Sequence, residues 1–319
     1  MRIMDGRSFL TGALPALVVL AAIGCSKIEP HPPPGVTEPE ALSLLGEPLF
    51  AIPPGPDRYD LDANLTAARE DLASAPDDPE RIIWVGRRLG YLWRMREAIQ
   101  VYTDGIARHP GHAPLYRHRG HRYISVRKFD LAIDDLERAA VLIEGRPDEV
   151  EPDGMPNERN IPLTTTGFNV WYHLGLARYL KGDFEGAVRA YNEAMKHTRD
   201  LDDNVVAVSD WLYMALCRLG RHPEAAAVLD RITPEMDIIE NRSYHRRLLL
   251  YKGDVGPEDA AVGGEGDLDR ATLGYGVGNW HYCRGETARA REIFEQVVEG
   301  GYWPAFGTIA AEADLARWR

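Results

Sequence analysis

Four histidines, His109, His112, His118 and His121, fall within 13 residues of one another. His118 and His121 are three apart, so on a helix they share a face and come within reach of one metal ion. Arg108, Arg117, Arg119 and Arg122 stand among them and would repel that cation. No metal and no cofactor is therefore expected. Gly274-Tyr275-Gly276-Val277-Gly278 has the glycine density of a phosphate-cradling loop, but it follows no strand, so the glycines read as packing positions. The carboxylate pairs Asp134-Asp135 and Asp202-Asp203 read as solvated faces and helix starts rather than acid–base machinery. No GxSxG, HExxH, CxxC or GxxxxGK[ST] pattern is present. Chemistry on substrates is not expected.

What positions these residues is a repeat. Gly86, Ala98, Tyr102 and Gly105 are followed by Gly120, Ala132, Leu136 and Ala139. Gly86 to Gly120 and Ala98 to Ala132 are both 34 residues. A fixed period of this length marks stacked helical hairpins, each unable to bury its apolar face alone. The ladder returns at Trp171, Leu174, Gly175, Ala187, Tyr191 and Ala194, then at Leu212, Leu216, Gly220, Ala225 and Leu229, and again at Gly278, Ala290, Phe294 and Val297. Small residues allow close backbone approach, while Tyr102, Leu136, Tyr191, Leu229 and Phe294 fill the space between hairpins. Gly182-Asp183 and Gly220-Arg221 stop one helix and start the next. Cys217 and Cys283 read as small core residues on first helices of units separated by another hairpin. At about 8–10 Å per packed layer they should lie too far apart for a disulfide.

The order Trp171-x-x-Leu174-Gly175, Gly182-Asp183-Phe184-x-x-Ala187, Tyr191-x-x-Ala194 resembles the tetratricopeptide repeat family. The resemblance covers roughly residues 61–319. It implies an all-α fold, a right-handed α-α superhelix of about five to six hairpins. Units are expected near 79–112, 113–146, 168–201, 206–233 and 271–300, with a degenerate one at 238–262, a capping helix at 304–318 and an insertion at 145–167. Almost no sheet is expected.

Arg2 and Arg7 precede an apolar run from Phe9 to Ile23, too short to span a bilayer, as in a secretory signal. Its end, Ala22-Ile23-Gly24-Cys25, resembles a bacterial lipoprotein signal, which implies removal of 1–24 and lipid attachment at Cys25. An ordinary signal peptide cut after Gly24 is the alternative. Either way the repeats would function outside the cytoplasm, at the cell envelope; Ser26 after the cysteine favours the outer membrane if the cell is Gram-negative. The stretch 25–57 is dense in proline and reads as a semi-rigid spacer, broken by a short helix at Glu38 to Leu45, with the solenoid over 58–319.

The net charge of −12, from 49 acidic and 37 basic residues, argues against binding a nucleic-acid backbone. In tetratricopeptide repeats the first helix of each hairpin lines the concave side. That resemblance places Trp84, Arg87, Tyr91, Arg117, His118, His121, Tyr172, His173, Trp211 and Arg218 in a groove. Aromatic residues with arginine are the composition of binding hot spots. The expected function is a membrane-tethered adaptor or scaffold that takes a protein segment, acidic or C-terminal, in a solvent-facing groove. The alternative is a small-ligand receptor or enzyme with a site under the 145–167 insertion.

Overall fold

The computed structural model describes residues 38–51, 59–261 and 266–319. The expected signal at 1–24, Cys25 and most of the 25–57 spacer lie outside the described residues. The described residues form fourteen helices and a minimal hairpin of strands β1 (Ala41–Leu42) and β2 (Pro48–Leu49). The hairpin replaces the short helix expected at Glu38 to Leu45. Ser43 Oγ accepts from the amides of Leu45 (3.2 Å) and Glu47 (3.0 Å), and Gly46 takes φ +95° to close the turn.

The helices come in antiparallel pairs. A leading helix α1 (Tyr59–Ser74) precedes α2 (Pro79–Tyr91) with α3 (Met95–Arg108) and α4 (Ala113–Ser125) with α5 (Phe129–Ile143). Then come α6 (Thr166–Lys181) with α7 (Phe184–Met195), and α8 (Asp202–Arg218) with α9 (His222–Leu229). The last are α10 (Arg242–Lys252) with the short α11 (Pro257–Ala261), α12 (Asp267–Cys283) with α13 (Thr287–Glu299), and α14 (Phe306–Arg317). Local signals set the ends. Asp78 Oδ1 accepts from Glu80 N (2.9 Å) at the start of α2, with Pro79 in the first turn. Gly182, at φ +93°, ends α6, and Asp183 caps α7.

In four of the pairs, those led by α2, α4, α6 and α12, a glycine on the first helix receives a ring or branched side chain from the second. A Cβ on Gly86 would lie 2.3 Å from Tyr102 Cζ, on Gly175 2.6 Å from Tyr191 Cε1, and on Gly278 2.4 Å from Phe294 Cε1. Tyr102, Tyr191 and Phe294 are buried. The recurring glycine is therefore the socket for the recurring ring, and the two must change together.

The even-numbered helices α2 to α14 form one continuous row, each packed on the next. This row lies on the inside of the curve: along it α12 also reaches α8, and α14 reaches back to α6. That curl overturns the expected separation of Cys217 and Cys283, which form a disulfide with Cα atoms 6.0 Å apart. Counting layers along a straight stack fails here because the inner circumference is much shorter than the outer. Among the described residues no helix is long and apolar enough to cross a membrane.

Candidate functional site

The curl brings the inner faces of the row against one another, so the expected groove is largely filled. Trp211 is fully buried, edge-on to Tyr179 at 5.2 Å and stacked near Tyr275 at 6.0 Å. Tyr172 is buried against Phe168, its hydroxyl 3.4 Å from that of Tyr244. Arg218 is enclosed between α8, α12 and α14: it donates to Asp314 Oδ2 (2.8 Å) and Asn279 Oδ1 (2.9 Å) and lies 3.9 Å from the Tyr282 ring centroid. His173 donates from Nδ1 to Asn169 O (2.6 Å) and packs with His121 (4.4 Å) and Phe306 (5.9 Å). These residues, with Arg117 and His118, were expected to face solvent. Instead Arg117, His118, Tyr172, His173 and Trp211 are buried core of the inner row.

Helix α14 does much of the filling. Its acidic residues reach inward and meet arginines from distant helices. Glu312 pairs with Arg127 in the α4–α5 turn, Oε1 to Nη2 2.5 Å and Oε2 to Nε 3.0 Å. Asp314 meets Arg218 and accepts from Tyr275 OH (3.0 Å). The β hairpin joins the same seam: Leu44 N donates to Glu312 Oε2 (3.2 Å), and Trp303 Nε1 to Phe50 O (2.8 Å). Trp93 meets Tyr302 and Trp303 edge-on at 4.9 and 5.3 Å.

At the α2–α4 end the inner row remains partly open. Trp84, Arg87 and Tyr91 are half-buried, and the guanidinium carbons of Arg87 and Arg88 lie 4.5 and 4.9 Å from the Trp84 ring centroid. Arg117, His118, His121 and Arg122 stand beneath them on α4. The 145–167 insertion crosses this end as a strap. Its roots are tied by the Val150–Thr165 bridge and by Asp148, which accepts from Thr165 Oγ1 (2.7 Å) and Gly167 N (2.8 Å) and faces His197 Nδ1 (2.7 Å). Asp148 is thus committed to holding the loop, although it lines a surface cavity of about 670 Å³ with His112, Trp171 and His197. The strap's Glu151 enters the arginine cluster, its Oε2 3.0 Å from Arg117 Nη2.

Burial governs the charge state of this cluster. It pushes Arg117 and Arg122 down, with Glu151 opposing the effect on Arg117. It pushes the Glu151 carboxyl up, against the pull of Arg117 and Arg87. It holds His118, His121 and His173 well below the usual imidazole value, and nearby arginines add to the effect. His118 is correspondingly a neutral acceptor, with Arg117 Nη1 donating to its Nδ1 (2.9 Å). Among the described residues no three His, Cys, Asp or Glu side chains converge to hold a metal ion. The arrangement suits recognition of a carboxylate and of peptide carbonyls, which need planar donors and no proton transfer. Glu151, Glu312 and Asp314 are the residues that sequence reasoning missed. Glu312 and Asp314 carry a local sign, acids placed among small or apolar residues in Ala311-Glu312-Ala313-Asp314-Leu315, whereas Glu151 lies in the acidic run Asp148-Glu149-Val150-Glu151-Pro152-Asp153 and carries none.

Comparison with known proteins places residues 168–201, the α6–α7 hairpin, in register with the tetratricopeptide repeat. Solved structures similar to the chain include that of MamA, at 18% identity over 54% of this chain and 86% of that one, with a TM-score of 0.41. YrrB, described as a TPR protein with an unusual peptide-binding site, is 14% identical over 74% of this chain and 93% of its own, with a TM-score of 0.42. A tetratricopeptide repeat protein from Parabacteroides merdae is 13% identical over 82% and 79%, with a TM-score of 0.45. No curated protein matches the chain. The fold is all-α, built of helical hairpins of the tetratricopeptide type.

Proposed function

We propose that this protein is a protein–protein interaction scaffold that holds an acidic peptide segment at the α2–α4 end of its inner row. The carrying observation is the concentration of Arg87, Arg88 and Arg117 beside Trp84 and Tyr91 on a chain of net charge −12. Arginines that already face a carboxylate and main-chain carbonyls are matched to an acidic chain, and the half-exposed rings supply apolar contact. The scaffold is tethered to the bacterial cell envelope by lipid on Cys25, with the repeats outside the cytoplasm. The motivation is the apolar run ending in Gly24-Cys25, together with a Cys217–Cys283 disulfide of the kind that persists in oxidising compartments.

Two measurements test this reading. Partners captured with the native protein should lose binding on Arg87→Glu, with a smaller salt dependence, while the chain still unfolds cooperatively in a thermal melt. Arg87 is the informative position because Arg117, buried against Glu151, would place two carboxylates together if changed to Glu. Partner binding that is indifferent to Arg87→Glu at low salt removes the basic end as the docking surface. The intact mass of the mature protein should begin at Cys25 with acyl groups added; a bare cysteine there removes the tether.

A further inference from the structure

The strap is held by the inner row in the way a bound peptide would be held. Over residues 151–154, Glu151 offers its carboxylate to Arg117 Nη2 (3.0 Å), Pro152 its carbonyl to Arg87 Nη1 (2.8 Å), and Gly154 its carbonyl to Arg88 Nη1 (2.9 Å). Three arginines thus read one carboxylate and two main-chain oxygens along a single segment. The last position is also crowded: a Cβ on Gly154 would lie 1.7 Å from Tyr91 OH and 2.7 Å from Arg87 Nη2, so a larger residue there must displace the ends of the two side chains that hold the segment. Main-chain contacts plus one side-chain pocket and one crowded position are how grooves recognise chains.

The fit is incomplete. Among the described residues Arg117 Nε and Asp153 Oδ2 are buried without a hydrogen-bond partner. Arg122, part-buried beneath α2, donates to Met95 Sδ (3.7 Å), a weak acceptor for a guanidinium. The strap's roots are firmly tied, but beyond residue 154 its tip is lightly held. Its tip is tied to the α9–α10 connection by exposed pairs, Arg159 to Asp237 (2.6 Å) and Asn157 to Glu240 (2.7 Å). Val150, Met155 and Ile161 are exposed, so the closed position gives these apolar side chains little packing.

We propose that residues 149–154 are a displaceable internal ligand, and that the partner is an extended protein segment with an acidic residue followed three positions later by glycine. This rests on the reading of the inner row as a peptide-binding surface and adds its specificity and its self-occupied state. The partner's carboxylate replaces that of Glu151 on Arg117, and its carbonyls take over Arg87 and Arg88. A site filled from within binds more weakly in proportion to the fraction of time the strap is open.

The probe is a fluorescein-labelled peptide with the sequence of residues 149–155, added in trans to the full chain and followed by anisotropy. The wild-type chain should bind it weakly. Glu151→Gln, which keeps the strap's shape but weakens its claim on Arg117, should bind at least about tenfold more tightly. Adding Arg117→Gln to that variant should cancel the gain. In wild-type protein, saturating peptide should speed hydrogen exchange at the amides of Glu151 and Thr166, which are bonded to Thr164 O and Glu149 O. Equal affinities for wild type and a folded Glu151→Gln, with strap exchange unchanged, overturn the internal-ligand proposal while leaving the groove intact. No binding by either folded protein removes the groove reading as well. If Glu151→Gln does not fold, the exchange experiment on wild type decides, and unchanged protection overturns the proposal.

Discussion

Neutralising Glu312 should loosen the seam that joins the two ends of the described chain. The Arg127–Glu312 pair has side chains only 3% and 1% exposed. Glu312→Gln keeps the shape and one acceptor oxygen but removes the charge and the two-point match to the guanidinium. Breaking a buried pair from one side costs about 3–5 kcal/mol, because the remaining charge stays desolvated. Arg127 keeps the carbonyls of Ser125 (2.5 Å) and Trp303 (3.0 Å), which moves the expectation to the low end, about 3 kcal/mol. Against a total stability of about 5–15 kcal/mol this is readily measured. Urea unfolding followed by tryptophan fluorescence reports the region directly, since Trp303 lies 5.6 Å from the Arg127 guanidinium carbon. Replacing the pair together, Arg127→Met with Glu312→Leu, should recover part of the loss, as apolar isosteres of buried pairs do. The exposed pair Arg96–Glu38 is the control, and Glu38→Gln should change nothing measurable. A Glu312→Gln midpoint indistinguishable from that of Glu38→Gln refutes the argument.

Gly278→Ala should cost about 1–3 kcal/mol in a thermal melt, since the new methyl meets Phe294, whereas Gly111→Ala, with nothing within 4 Å of its Cβ, should be silent. Tyr191→Ala, emptying the matching socket at Gly175, should cost about 3–5 kcal/mol. Non-reducing peptide mapping should recover Cys217 linked to Cys283, and reduction should lower stability by about 4 kcal/mol for a loop of 66 residues on the chain-entropy account. His121 is held neutral by burial, with Arg122 and His173 adding to the effect, so its folded pKa lies well below the ordinary value. Protons then bind the unfolded chain preferentially, and this contribution to stability is lost as pH falls below about 6.5. His121→Phe removes that loss: relative to wild type it should gain up to about 1.4 kcal/mol per pH unit between pH 6.5 and 5, read from urea midpoints. The comparison must be differential because Glu151, pushed up by burial, and Asp210, pushed up to about 7, act in the opposite sense.

The hairpins were legible in the sequence because their determinants are local. Gly175 and Tyr191 are 16 residues apart, and Gly182-Asp183 carries its turn in two residues. The filled interior was not legible, because it depends on how small rotations between successive hairpins add up. Leu44 meets Glu312 across 268 residues, and Arg127 meets it across 185. Nearest-neighbour reasoning about stacked repeats contains no term for such contacts. The same omission misplaced the cysteines and turned a row of expected surface residues, Tyr172 and Trp211 among them, into core. Trp84, Arg87 and Tyr91 lie at the partly open end, and the local reading gave no hint that Glu151 would come to lie there.

A stack of repeats ordinarily frays from its two free ends. Here residues 38–51 lie against α14, and Glu312 on α14 holds the turn between α4 and α5. A pull on the N-terminal side therefore does not peel α1 and α2 away first. It loads the strand hairpin in shear, passes through Leu44 and Trp303 into the last helix, and from there through Arg127 into the second hairpin. The first and last described elements are joined by this clasp, so a pull on residues 38–51 should load it before it reaches α1 and α2.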